Sequence, residues 1–219
     1  MPVGRRNRGG SFMHIGILGS GKMGSSLARL IANRGHTVTI GSRTPEAKRD
    51  RFLGIDGLDV RDQQAAVDEA ELIIVATPWT ATLETLEALD IPAGKIILDI
   101  SNPLSADVSE LVVGGKNSAA EEVARCLGST RVVKAFNGIN AANLDNPAFA
   151  GGTAQIPFCG DDAGAKDVVR NLIEELGFVA LDCGELKNAR YLEAMAMLWI
   201  QLAFVEGYGM NCAFKFSCA

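Results

Sequence analysis

A glycine-rich segment near the start of the chain has the spacing of a phosphate-binding loop. Residues 19–24 read Gly-Ser-Gly-Lys-Met-Gly, directly after the apolar segment Ile15–Leu18 and before a helical pattern. In such a strand–turn–helix context, Gly19 permits the tight turn, Gly21 lets the backbone approach a pyrophosphate, and Gly24 allows the helix to pack closely on the strand. Free N–H groups and the dipole at the helix N-terminus favour an anion. The spacing therefore predicts a dinucleotide-binding loop, with a glycine turn used only for its geometry as the alternative.

The residues after the second predicted strand, Thr37–Ile40, favour NADP(H) over NAD(H). In domains that prefer NAD, an acidic residue at this point hydrogen-bonds the ribose 2′-hydroxyl. This chain instead has Ser42 and Arg43 there, with Lys48 about a turn further on. The Arg43 guanidinium offers a fork of donors for a 2′-phosphate, and the Ser42 hydroxyl offers one more. We therefore predict NADP as the cofactor, and a solvated basic helix start is the alternative.

Three turns follow later predicted strands, Leu72–Ala76, Ile96–Ile100 and Val132–Phe136. Ligands of open α/β sheets bind beyond the carboxyl ends of the strands, so these turns are candidates for contact with the nicotinamide and its ribose. The residues predicted here to bind the cofactor are Thr77, Pro78, Trp79, Asn102, Pro103, Phe136 and Asn137. A purely structural use of any one of them is the alternative.

No acid–base residue can be assigned from the sequence. The two histidines, His14 in the first strand and His36 before the second, are predicted to be structural, and neither Lys134 nor Lys187 has an identifiable partner. Dehydrogenases that interconvert alcohols and ketones usually need a proton donor. An acceptor that takes up hydride readily, such as a flavin-like ring, needs no such strong acid, and positioning of the two rings supplies much of the catalysis.

Strand and helix patterns alternate along most of the chain, which predicts an α/β fold with a Rossmann-type, doubly wound, mostly parallel sheet. The predicted strands are His14–Leu18, Thr37–Ile40, Leu58–Val60, Leu72–Ala76, Ile96–Ile100, Val132–Phe136, Ile156–Cys159 and Phe178–Leu181. The predicted helices are Lys22–Asn33, Pro45–Phe52, Gln63–Glu69, Thr80–Leu89, Ala119–Leu127 and Ala163–Leu176.

The C-terminal part is predicted to be a small α/β extension ending in one long apolar helix, Leu186–Val205. A helix that is apolar nearly all round must be buried within its subunit or against another one, which favours a homodimer. We divide the chain into a disordered N-terminal arm over residues 1–12, an NADP-binding domain over residues 13–137 and a small domain for substrate binding and dimerisation over residues 138–219.

Composition excludes several classes of partner. The 219 residues carry a formal net charge of −5, which argues against nucleic-acid binding. The most apolar stretch, Ala194–Val205, is shorter than the roughly 20 residues that span a bilayer, so we expect no membrane partner. The five cysteines have no metal-like spacing, which indicates a reduced, cytoplasmic setting without a metal site.

Five segments together resemble the NADPH-dependent reductases of the deazaflavin coenzyme F420. They are the glycine loop, Gly41-Ser42-Arg43, Thr77-Pro78-Trp79, Cys159-Gly160-Asp161-Asp162 and the closing segment Gly207–Phe216. The resemblance extends from Met13 to the C-terminus, and Val133–Asn143 is similar to a bacterial branch whose acceptor is often undefined. The first domain is also similar to the reductase part of the six-transmembrane metalloreductases.

This resemblance implies a homodimeric oxidoreductase in which the second substrate stacks over the nicotinamide. It implies that Ser20, Gly21, Lys22 and Met23 contact the pyrophosphate, that Ser42 and Arg43 hold the 2′-phosphate, and that Thr77 lies near the nicotinamide. We therefore expect hydride transfer between NADP(H) and a flavin-like or deazaflavin acceptor. A reductase of a small carbonyl or imine and a non-catalytic NADPH-binding sensor are the two alternatives.

Overall fold

One mixed sheet, parallel except at one junction, forms the centre of the molecule. The computed structural model describes residues 12–129 and 131–218. The strands are β1 (His14–Leu18), β2 (Thr37–Gly41), β3 (Leu58–Arg61), β4 (Leu72–Val75), β5 (Ile96–Asp99), β6 (Val132–Lys134), β7 (Ala148–Phe149), β8 (Gly152–Thr153), β9 (Gln155–Gly160) and β10 (Val179–Asp182). Eight of them pair in the order β10-β9-β6-β5-β4-β1-β2-β3, while β7 and β8 form a separate hairpin. The predicted Rossmann-type α/β fold is confirmed.

Helices cover both faces of this sheet. They are α1 (Lys22–Ala32), α2 (Glu46–Arg49), α3 (Gln63–Asp68), α4 (Trp79–Glu87), α5 (Ala119–Leu127), α6 (Ala163–Glu175) and α7 (Ala189–Ile200). Successive strand residues point to opposite faces, so in β4 Leu72 and Ile74 belong to one apolar cluster while Ile73 and Val75 belong to the other. Helices α1 and α6 pack in the first cluster, and α3, α4, α5 and α7 pack in the second.

The last two strands of the sheet join it with a change of direction. Strand β9 pairs antiparallel with β6, and β10 then pairs parallel with β9. Residues after position 137 therefore extend the same sheet as β1, the strand that precedes the glycine loop. The division into two domains at that position stays a prediction.

The long terminal helix is present, although only its middle is regular α-helix. A 3-10 turn, Leu186–Asn188, precedes α7, and a π-helical turn, Gln201–Val205, follows it. One side of α7 packs on the sheet through Leu192, while Tyr191 and Leu198 on the other side are exposed. The helix is thus buried on one face within the subunit.

Residues 1–11 of the predicted N-terminal arm lie outside the described residues. Phe12 is described, and its exposed ring contacts the edge of His36 at a centroid distance of 6.4 Å. Across residues 12–129 and 131–218, no helix is both long and apolar enough to cross a membrane.

Candidate functional site

A cavity of about 830 Å³ lies along the carboxyl ends of β1, β2, β4 and β5. Ten residues predicted to bind the cofactor line it: Gly19, Ser20, Gly21, Lys22, Met23, Ser42, Arg43, Lys48, Thr77 and Pro78. The cavity extends over three strand spacings, from β2 to β5. At about 4.8 Å per spacing this is about 14 Å, which suits an extended dinucleotide.

The glycine loop forms the middle of this cavity. Each of its three positions is glycine for a different structural reason. Gly19 has a φ angle of +117°, which L side chains rarely adopt. A Cβ atom on Gly24 would lie 2.2 Å from the Gly19 carbonyl oxygen, so Gly24 is required where α1 crosses the loop. A Cβ atom on Gly21 would meet no described atom within 4 Å. Protein atoms therefore fill the space next to Gly24, whereas the space next to Gly21 is open to a ligand.

The N-terminus of α1 presents uncompensated positive charge to this open side. Gly21 is the N-cap, no described side chain caps the helix, and its first turn contains no acidic residue. The first N–H groups of a helix have no intrahelical partner and carry a partial positive charge. An anion beside Gly21 would accept hydrogen bonds from these N–H groups and balance their partial positive charge.

Charged side chains in the cavity are all basic. Lys22, Arg43 and Lys48 line it, and none of the described lining residues is Asp, Glu or His. The Ser42 hydroxyl accepts a hydrogen bond from the Thr44 N–H at 3.2 Å, which fixes the turn that presents Arg43. Three cations without a carboxylate favour a ligand that carries several negative charges.

The remaining six predicted residues do not line the cavity. Gly24 is buried below the loop. Trp79 packs against the apolar cluster that contains α5 and α7. Pro103 is buried in the turn after β5. Phe136 is 2% exposed, with its ring packed edge-to-face on Phe178 at 6.0 Å.

The other two of the six, Asn102 and Asn137, hydrogen-bond to each other. Asn137 Nδ2 donates to Asn102 Oδ1 at 3.0 Å and to the Leu192 carbonyl oxygen at 3.0 Å, while Asn102 Nδ2 donates to the Asn137 carbonyl oxygen at 2.8 Å. These bonds join the turns after β5 and β6 to α7. Phe136, directly before Asn137, has a φ angle of +58°, so the backbone is strained next to these hydrogen bonds.

Eight lining residues were missed by the sequence prediction: Gly41, Thr44, Gln63, Ala76, Ala81, Thr85, Ile100 and Ser101. Ala81 and Thr85 are four apart on α4, so the small residues at this helical spacing were a usable signal. Gln63 begins α3, one residue after the N-cap Asp62. Its contact with the cavity depends on the tertiary approach of α3 to β2, for which the local sequence has no signal.

A buried charged cluster below the cavity was also missed. Lys134 and Asp99 have no exposed side-chain surface and Glu193 has 1%. Lys134 Nζ lies 2.9 Å from Asp99 Oδ2 and 3.0 Å from Glu193 Oε1, and it also donates to the Ser101 carbonyl oxygen. Lys134 therefore has partners that its sequence neighbours do not reveal, whereas Lys187 pairs with Glu185 at the surface.

The environment of this cluster keeps Lys134 charged. Burial lowers the pKa of Lys134, but the attraction of Asp99 and Glu193 outweighs it, so that pKa lies above its ordinary value. Burial raises the pKa of Glu193, more than Lys134 and the Ala119 N–H lower it. The cluster is a structural support, because it does not line the cavity.

The two histidines also have structural partners. His36 is 2% exposed, with Nε2 3.1 Å from Glu175 Oε2, and His14 Nε2 lies 2.8 Å from Thr39 Oγ1. Within residues 12–129 and 131–218, no group of three or more His, Cys, Asp or Glu side chains is arranged to hold a metal ion.

This chain is similar in sequence and fold to known proteins. The family described as NADP oxidoreductase, coenzyme F420-dependent, matches residues 14–103. The F420-dependent NADP reductase of Methanocaldococcus jannaschii is 34% identical over 213 residues, which cover 87% of this chain and 92% of that relative. This chain belongs to the F420-dependent NADP reductase family. The family resemblance expected from the sequence is confirmed.

Two further comparisons concern a solved structure and a longer relative. The first supports membership of the F420-dependent NADP reductase family, and the second matches only part of that relative. The structure of a candidate F420-dependent NADP reductase from Arthrobacter sp. FB24 matches with a TM-score of 0.82 and 30% identity, over 94% of this chain and 100% of that one. Metalloreductase STEAP3 of Rattus norvegicus is 36% identical over 186 residues, which are 84% of this chain but 36% of that relative. This chain thus spans about a third of the metalloreductase.

Membership of the F420-dependent NADP reductase family makes the chain an NADP-dependent oxidoreductase. The geometry and charge of the cavity, considered apart from the family, also fit this cofactor. Open space at Gly21 leaves room for a pyrophosphate, and the lining cations Arg43 and Lys48 lie on the β2 side, where the 2′-phosphate of an adenosine half is expected.

Proposed function

We propose that this chain transfers hydride between NADP(H) and a deazaflavin acceptor, coenzyme F420, or a closely related flavin-like ring. Relatives named F420-dependent NADP reductases, of which this chain covers about nine-tenths, support the acceptor class. The observation that carries the proposal is the composition of the cavity. It provides cations for the cofactor phosphates, while none of its described lining residues is His, Tyr, Asp or Glu.

The reaction chemistry explains why this composition suffices. When bound, NADPH supplies a hydride from its nicotinamide ring. A ring that takes up hydride readily needs orientation and exclusion of water more than it needs a protein acid. Rigid turns at the ends of β4 and β5 can provide both, because they follow fully buried strands.

The cofactor-binding residues follow from the order of the strands. Ser20, Gly21, Lys22 and Met23 would bind the pyrophosphate at the N-terminus of α1, through backbone N–H groups and the Lys22 ammonium. Ser42, Arg43 and Lys48 would bind the 2′-phosphate beyond β2. Thr77 and Pro78, after β4, would contact the nicotinamide half.

The predicted residues outside the cavity lining would act on the cofactor indirectly. Gly24 would hold α1 against the loop, and Trp79 and Pro103 would fix the turns that begin α4 and follow β5. Asn102 and Asn137 would hold these turns against α7, with the strained backbone of Phe136 aiming Asn137.

The acceptor is tested by following the absorbance of NADPH in the presence of coenzyme F420, FMN, FAD or riboflavin, each supplied alone. We expect sustained oxidation with coenzyme F420. Turnover with a flavin alone would place the acceptor among the flavins. Binding of NADPH without oxidation by any of the four would contradict the proposal and favour a carbonyl or imine substrate, or the non-catalytic sensor.

The same family resemblance and one exposed surface support a homodimer. Tyr191 and Leu198 are 71% and 52% exposed and lie seven residues apart on α7, so they share one side of that helix. Val205, in the π-helical turn that follows, is 66% exposed. An apolar stripe of this kind is typical of a surface that a second copy covers. Analytical ultracentrifugation should show a dimer that Leu198→Glu converts to a monomer. A monomeric parent chain would refute the proposed homodimer.

A further inference from the structure

Ser101 is the one serine whose buried hydroxyl has no hydrogen-bond partner among the described residues. Ser101 lies two residues after β5, is 6% exposed and lines the cavity. A buried hydroxyl without a hydrogen-bond partner destabilises the folded state, so a folded protein rarely retains one without a use for it.

The other buried serines in the described part of the chain show the contrast. Ser25 donates to the Ser20 carbonyl oxygen, Ser42 accepts from the Thr44 N–H, and Ser118 donates to Glu121 Oε2. Each of these three hydroxyls supports a turn or a helix terminus. The Ser101 hydroxyl supports no local structure of this kind.

Both backbone groups of Ser101, in contrast, are firmly held by buried charges. Its N–H donates to Asp99 Oδ1 at 2.9 Å, and its carbonyl oxygen accepts from Lys134 Nζ. Lys134 in turn is paired with Asp99. The Lys134–Asp99 pair therefore fixes the backbone of Ser101 while leaving its side chain free to bind something else.

The position of Ser101 identifies what the hydroxyl would bind. Ser101 lines the end of the cavity formed by β4 and β5, opposite the end where Arg43 and Lys48 would hold the 2′-phosphate. A dinucleotide whose pyrophosphate crosses Gly21 has its nicotinamide half at the β4–β5 end. That half carries a carboxamide and ribose hydroxyls, which are hydrogen-bonding groups without charge.

We propose that the Ser101 hydroxyl hydrogen-bonds the nicotinamide half of bound NADP(H), and that the Lys134–Asp99 pair positions it. The proposal rests on the cofactor orientation proposed above and adds Ser101 as a binding residue. It does not depend on which acceptor takes the hydride.

The test compares Ser101→Ala with the parent chain in binding to NADPH and to 2′,5′-ADP, which lacks the nicotinamide half. Loss of one neutral hydrogen bond should weaken NADPH binding roughly 2- to 12-fold, measured by fluorescence titration, and leave 2′,5′-ADP binding unchanged. Without cofactor, the melting temperature of Ser101→Ala should not fall, because the substitution removes no bond within the protein.

Ser118→Ala is the matched control, because it removes a buried serine hydroxyl that has a partner. It should lower the melting temperature and leave NADPH affinity unchanged. Unchanged NADPH affinity in Ser101→Ala, or an equal loss for both ligands, would overturn the proposal. Failure of the parent chain to bind NADPH would overturn it together with the cofactor orientation, whereas NADPH binding without turnover of coenzyme F420 would affect only the acceptor.

Discussion

Lys134 Nζ and Asp99 Oδ2 are 2.9 Å apart in a position where neither side chain has any exposed surface. The pair joins β6 to β5, and Glu193 of α7 completes it at 3.0 Å. Removing one partner of a buried ion pair leaves an uncompensated charge in a low-dielectric environment. Lys134 therefore stabilises the packing of α7 on the carboxyl ends of β5 and β6.

Lys134→Met should lower the free energy of unfolding by about 3–5 kcal/mol, because Asp99 and Glu193 would then face each other without a cation. Urea unfolding measures this loss. Lys187→Met is the control, since Lys187 pairs with Glu185 at the surface and its loss should leave the unfolding midpoint unchanged. Similar midpoints for the two variants would show that the buried cluster contributes little.

The glycine loop allows cofactor binding to be separated from folding. Gly21 has a φ angle of −68°, and an added Cβ meets no described atom, so Gly21→Ala should fold with an unchanged melting temperature. The added methyl group would occupy the space proposed for the pyrophosphate. We expect NADPH affinity to fall by about tenfold or more in a fluorescence titration.

Gly24→Ala is the matched comparison, with the same change three residues later. Its Cβ would lie 2.2 Å from the Gly19 carbonyl oxygen, so overpacking should cost about 1–3 kcal/mol and lower the melting temperature. If Gly21→Ala destabilised the chain as much as Gly24→Ala, the open space at Gly21 would not be a ligand site.

Local signals were sufficient to predict the eight strands of the main sheet, most of the helices and much of the cavity lining, but not the short hairpin of β7 and β8. The boundaries of β1 and α5 agree with the prediction, since an apolar strand segment and a helical pattern are local features. The Lys134–Glu193 contact joins residues 59 positions apart and depends on how α7 packs on the sheet. The antiparallel entry of β9 has the same origin, because a strand pattern does not encode the direction of its neighbour.

Asn102 and Asn137 illustrate a different limit. The sequence places both at carboxyl ends of strands, which is where a ligand binds, and the structure shows their side chains bonded to each other and to α7. A polar residue at a strand end can hold a turn as well as a ligand. The sequence alone does not distinguish these two uses.

Cofactor preference should depend on Arg43. Loss of its charge-assisted hydrogen bonds to a 2′-phosphate should weaken NADPH binding roughly 10- to 100-fold in Arg43→Ala, while NADH binding changes little. Titration with each cofactor measures the difference. Arg49→Ala is the control, because Arg49 carries the same charge on α2 but does not line the cavity. Equal losses for NADPH and NADH in Arg43→Ala would refute the assignment of the 2′-phosphate site.

Stability at low pH should depend on the contact between α5 and α7. Arg190 of α7 donates to both carboxylate oxygens of Glu121, at 2.8 Å and 2.5 Å, and this contact holds the pKa of Glu121 below its ordinary value. A carboxyl group with a lowered pKa in the folded state stabilises the fold above its unfolded pKa. That stabilisation is lost as the pH falls through the folded pKa.

Arg190→Met should therefore be less stable than the parent chain at neutral pH, and the difference should shrink as the pH falls below about 4.3, the ordinary pKa of Glu. Urea unfolding at a series of pH values measures this difference. Arg34→Met is the control, because Arg34 is an exposed arginine that donates to the Leu176 carbonyl oxygen and forms no ion pair with a described carboxylate. Should the gap between Arg190→Met and the parent chain stay constant with pH, Arg190 would contribute by packing, since only the ionised form of Glu121 gains from its charge.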